Sequence, residues 1–230
     1  MSEPTTIPCD DLDEALQRYK EMGYRLNMIF PADSPREALL SKSEPPAIAG
    51  DLTSDSEQRE TIRLKLSQPQ LQPPATAGGS DWITGRAGME YRDLIPGRIG
   101  GKAIASHIRL MTGGEVADYV HYHKVDFQML YCLKGRISVV YEDQGPPFWL
   151  ETGDCVVQPP EIRHRVLECT AGAEVLEVSM PAEHETWVDH EMSLPNETVN
   201  PEREFNGQRF VLTRNAVDQR SGRSCHESHE

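Results

Sequence analysis

The sequence predicts an all-β domain, an antiparallel sandwich or jelly roll, preceded by a small α+β segment. Three observations predict it. From Lys102 to Met180, eight short runs alternate apolar and polar residues between turn residues, the period of half-buried strands. Residues 7 to 31 read instead as strand, helix, strand. Finally, 37% hydrophobic and 26% charged residues over 230 positions suit a soluble chain with one sizeable core or two small ones.

In order, Asp10 or Asp11 caps a helix through EALQRYKEM, with Leu16, Tyr19 and Met22 on one side and Gly23 at its end. YRLNMIF follows as a buried strand, REALLS as a further strand or turn, and ETIRLKLS as another strand, closing a unit over residues 1–67. QPQLQPPATAGGS has the Pro and Gly content of a linker. The Gly- and Arg-rich stretch after it reads as an irregular arm, so that 68–100 separates the first unit from a barrel at 101–181.

The barrel strands are KAIASHIRLM, ADYVHYH, FQMLYCL, RISVVYE, PFWL, CVVQP, HRVLECT and AEVLEVSM. Closing such strands on one another removes exposed edges. Residues 182–230 form a Pro-punctuated extension in which GQRFVL can add an edge strand, and the tail beyond Thr213 is polar and expected to be disordered.

A formal charge of −14 argues against nucleic acid, which needs clustered Lys and Arg. No run approaches the roughly 18 apolar residues of a membrane span. The acidic start MSEPTTIPCDDLDE lacks a signal-peptide pattern, and the five cysteines form no CxxC pair. A cytoplasmic protein with reduced thiols is expected.

No histidine precedes His107, so a histidine site must lie in the second half. His121 and His123, two apart in a strand, point to one face. Gln128 follows with an amide oxygen, and His164 comes after the Pro159–Pro160 corner. Three imidazole nitrogens and an amide oxygen suit Fe, Mn, Ni, Cu or Zn better than Mg or Ca.

Gly114, six residues, His121-x-His123, four residues, Gln128, six residues, Gly135, and then Gly153, five residues, Pro159-Pro160-Glu161-x-x-His164 together resemble the two-part motif of the cupin family. The resemblance spans roughly residues 100 to 181. It implies a cupin jelly-roll barrel, a divalent metal held by His121, His123 and His164, and a homodimer paired through outer strands. Departures are the early Gly114, Glu161 where the family commonly has a turn glycine, and Gln128 in place of its glutamate. The phrase DLDEALQRYKEMGYRLNMIFPAD is similar to the opening unit of the vicinal-oxygen-chelate family, in which a helix sits between two strands. With no early histidine, no ligand carries over from it.

Gln128 is either a weak direct ligand or a hydrogen-bond partner of a metal-bound water or an imidazole. In both cases the centre stays more cationic than with glutamate, which favours an anionic oxygen chelate such as an enolate, a catecholate or a 2-oxo acid. Tyr119 shares the face of His121 as a proton carrier or as packing. His107 and Arg109 share one face of their strand: turned inward they bind substrate, with Arg109 clamping a carboxylate, and turned outward they are surface. Gln158 sits near the pocket rim, Arg163 reads as an ion-pair residue, and His184 and His190 read as surface. By resemblance to three-histidine cupins, the leading function is an iron(II) dioxygenase or related oxidoreductase acting on a small oxygen-rich molecule. A redox-neutral isomerase or decarboxylase is second, and a non-catalytic binding module third.

Overall fold

The computed structural model describes residues 3–43, 59–68, 82–84, 88–95 and 97–215. Most of the expected linker, and the tail from residue 216 onward, lie outside these residues.

The first unit runs β1 (Thr5–Cys9), α1 (Leu12–Glu21), β2 (Arg25–Phe30), β3 (Glu37–Ser43) and β4 (Arg59–Leu66). The Asp11 side chain accepts the Glu14 N–H at 2.9 Å at the head of α1, which satisfies one of the helix's orphan donors. Gly23, at φ +90°, takes the left-handed turn that ends it. Leu12 and Ala15 are the buried helix residues, with Leu16 and Tyr19 partly covered. Met22, expected on the same stripe, is 52% exposed because it caps the helix rather than lying within it. The helix covers Ile29, Ala38, Leu40, Ile62 and Leu64. Complete burial of one such side chain contributes about 1.5–3 kcal/mol.

The rest is all β, and each of the eight expected barrel runs contains a strand. They are β7 (Ile104–Leu110), β9 (His121–His123), β10 (Phe127–Lys134), β11 (Arg136–Tyr141), β12 (Phe148–Glu151), β13 (Cys155–Gln158), β14 (His164–Cys169) and β15 (Ala173–Met180). Short elements fill in around them: β5 (Ile83–Thr84), β6 (Glu90–Asp93), a helical turn α2 (Arg98–Gly101), β8 (Gly114–Glu115), β16 (Thr186–Val188), β17 (Glu204–Phe205), β18 (Gln208–Arg209) and β19 (Val211–Thr213). The stretch expected as an irregular arm thus supplies β6 and the edge strand β5, and GQRFVL supplies β19 against β13.

Two sheets face each other. One runs β19-β13-β10-β15-β7-β6-β5, and the other β1-β4-β3-β2-β16-β9-β14-β11-β12 with β8 beside β14. Between them lie Ile108, Leu110, Leu130, Val156 and Val175 from the first sheet and Ile137, Val139, Tyr141 and Leu150 from the second. Gly135 turns β10 into β11 at φ +69°, where a Cβ would meet the Thr170 hydroxyl at 2.5 Å. No other residue fits that turn without displacing Thr170.

The second sheet continues from the barrel into the first unit. β16, from the C-terminal extension, pairs with β9 on one side and β2 on the other. Side chains reinforce the junction: Arg36 makes a two-pronged contact with Glu183 at 2.9 and 3.0 Å, and Arg98 bridges Asp33 and Asp93.

Candidate metal centre

β9 and β14 build the site. His121 and His123 flank the outward-turned Tyr122, over whose ring the Arg163 guanidinium lies at 4.2 Å while bonding Asp189 at 3.0 Å. His164 opens β14 and is the direct cross-strand partner of His121. The rings of His121 and His164 are 4.2 Å apart, and that of His123 is 5.1 and 5.2 Å from them. One nitrogen from each falls within 4.8 Å of the other two, and all three residues are buried.

Each ring is held from behind. His121 Nδ1 donates to the Tyr119 carbonyl at 2.8 Å, with Asp118 Oδ1 at 3.7 Å. His164 Nδ1 donates to the Ile162 carbonyl at 3.0 Å, and His123 Nδ1 lies 2.8 Å from the Thr186 hydroxyl. Backbone carbonyls accept only, so the rings of His121 and His164 carry their proton on Nδ1 and turn Nε2 to the centre. Three fixed, converging imidazole nitrogens fit a transition-metal ion. Glu161 adopts φ +62° in the corner before His164, the left-handed region where glycine is easiest, and its N–H donates to the His123 carbonyl at 3.1 Å. The motif's turn is therefore built here with a glutamate in the strained position.

The donors open onto a cavity walled by Ile108, Leu110, Leu130, Ile137, Val139, Val166 and Val175, with Tyr91, Tyr141, Gln158 and Glu177 as polar members. Gln128 is 1% exposed and its oxygen accepts Gln158 Nε2 at 2.9 Å; Gln158 Oε1 in turn accepts the Tyr141 hydroxyl at 2.5 Å. The Gln128 oxygen is thus engaged by a neighbouring amide, and Gln158 lies inside the barrel rather than at its rim. Tyr119 packs edge-on to His121 at 5.8 Å, its carbonyl serving that ring.

His107 and Arg109 take the outward of their two orientations, because Ile108 and Leu110 of the same strand face the cavity. His107 bonds Glu174 at 2.9 Å, Arg109 pairs with Glu90, and both rest against Trp82. His190 is exposed, as expected, and bonds the Leu26 carbonyl. His184 is not a surface residue: it is 5% exposed, because the segment after β15 folds back and sets its ring 5.4 Å from that of His123.

Glu177 and the Thr186 support were not anticipated. The signal for Glu177 was its parity, since β15 turns Ala173, Val175 and Ser179 inward and Glu177 falls on the same side. Thr186 sits in a Pro-punctuated stretch whose pairing is entirely nonlocal.

Residues 107–179 match the family model described as "Cupin domain". No curated protein is similar enough to the chain to count as a relative. Among solved structures, an RmlC-like cupin from Shewanella frigidimarina is 24% identical, with 44% of this chain and 84% of that one covered and a TM-score of 0.36. KdgF from Halomonas sp. is 20% identical over 44% and 86% of the two chains, at a TM-score of 0.37. Oxalate decarboxylase from Bacillus subtilis is 22% identical over 41% of this chain and 25% of that one, at 0.33.

Proposed function

From the match of residues 107–179 to the cupin family model, we propose that this protein is a mononuclear metal-dependent enzyme, an oxidoreductase of the dioxygenase kind, acting on a small oxygen-rich molecule. The observation that carries the reading is the buried cluster of His121, His123 and His164 with no carboxylate among its members. A divalent ion there, iron(II) first and Mn, Ni, Cu or Zn in its place, supplies Lewis acidity and, where redox-active, a route for O₂ chemistry.

The protein's own residues do the rest. Three uncharged rings leave the centre cationic, which favours an enolate, a catecholate or a 2-oxo acid as a chelating substrate. The aliphatic wall receives the substrate's apolar body and excludes water. Tyr141, Gln158 and Gln128 form one hydrogen-bonded chain beside the rings, which fixes the inner end of the cavity. The test is anaerobic loading with each of the five metals, followed by O₂ uptake with diketone, thiol and catechol panels. Uptake with iron is the expected result, and none with any metal overturns it.

A redox-neutral isomerase or decarboxylase is the second reading, favoured by the Glu177 carboxylate in the same cavity. Turnover that persists with redox-silent zinc selects it. Ligand binding without turnover selects a binding module.

We propose a cytosolic location, which the free thiols of the described cysteines Cys9, Cys132, Cys155 and Cys169 support.

A homodimer fits the outer face of the first sheet, where an antiparallel sheet turned to solvent is ordinarily polar. Instead, Val211, Val157, Met129 and Val178 align there across four strands, with Tyr131 and Leu133 exposed beside them. Light scattering is expected to give twice the 25.8 kDa chain mass, falling to the monomer in Tyr131→Lys. A monomeric wild type would contradict this.

A further inference from the structure

The cavity has two chemically different walls. The imidazoles stand on β9 and β14 of one sheet, whereas Glu177 reaches in from β15, a central strand of the other, between Leu130 and Ser106 in register. It lines the same cavity as the three rings and is the one carboxylate among the lining residues. Its inward neighbours on β15 are Val175 and Ser179, and the Ser179 hydroxyl donates to Oε1 at 3.3 Å. A carboxylate turned into an aliphatic barrel is costly where it serves only packing.

The other polar groups on the wall are unsuited to taking up a proton. The Tyr141 hydroxyl already donates to Gln158, and burial, with the Glu177 charge nearby, pushes its phenol far above the ordinary range, so it stays protonated. The Tyr91 hydroxyl is turned to the Met89 sulfur at 3.9 Å. Gln158 is an amide, and the imidazoles are committed to the metal.

We propose that Glu177 is the general base of this cavity, taking the proton from a hydroxyl of a chelating substrate whose other end lies against the three imidazoles. The inference rests on the metal-chelation reading above and names the substrate class more closely: an enol or catechol with an apolar or aromatic body, small enough to span from one sheet to the other. In the step, the substrate O–H bond breaks, its electron pair stays on the substrate oxygen, and the proton bonds to a Glu177 carboxylate oxygen. Nothing is oxidised or reduced.

The experiment uses full-length protein loaded with zinc and 4-nitrocatechol as the probe, and counts protons released to a weakly buffered indicator solution as the probe binds. Wild type keeps one proton at Glu177, so Glu177→Gln is expected to release about one proton more per bound probe. Glu177→Asp, which retains a carboxylate, is expected to return towards the wild-type count, and metal content is unchanged in both variants. For any panel substrate that turns over, Glu177→Gln should lower kcat by about 10²–10⁴-fold, the span of general base catalysis. Equal proton release by wild type and Glu177→Gln, with probe bound to both, overturns the assignment. If zinc-loaded wild type binds no probe, or binds it as well when His164 is replaced by Ala, it is the chelation reading that fails, and the assignment falls with it.

Discussion

His164→Ala is expected to lose metal altogether under conditions in which wild type holds one ion per chain. His164 is the direct strand partner of His121 and is the ring nearest to it, at 4.2 Å. Removing it leaves two donors that share the short strand β9, which cannot surround an ion from both strands. Thr186→Val marks the scale below that. It removes the hydroxyl 2.8 Å from His123 Nδ1 while leaving the ring in place, and loss of such a support costs about 10–100-fold in affinity. Elemental analysis after dialysis, followed by competition with a chromophoric chelator, measures both. Wild-type metal content in His164→Ala would show that the three rings do not act as one site.

Leu64→Ala should destabilise the whole protein, not only the unit that contains it. Leu64 is 0% exposed in the core formed under α1, and such truncations cost roughly 2–5 kcal/mol. The sheet around it runs without a break through β2 and β16 to the strand carrying His121 and His123. Urea unfolding followed by tryptophan fluorescence and by far-ultraviolet circular dichroism should therefore give one coincident transition, shifted to lower urea in the variant. Two separate transitions, with only the earlier one moved, would show that the N-terminal unit folds independently of the barrel.

Much of this was legible in the sequence because it is local. Period-two runs between turn residues locate the eight barrel strands, and strict alternation tells which side chains of each share a face. His121 and His123 share a face for that reason alone, and the Pro159–Pro160 corner delivers His164 to their level. What local pattern cannot carry is which strand a short segment chooses as its neighbour. Thr186 to Val188 is three residues long, and its insertion between β2 and β9 depends on partners more than sixty residues away in sequence. The burial of His184 depends on the same fold-back. Gln128 shows another limit: spacing places it at the centre, but the partner of its oxygen is set by Gln158 on the neighbouring strand.

An ion seated among uncharged rings keeps its whole charge, in a chain whose own balance is −14. Long-range attraction then enriches cations around the molecule, and dissolved salt screens that attraction beyond about 10 Å. Ionic strength should accordingly act on how fast metal enters the barrel, and leave almost untouched how firmly it is kept.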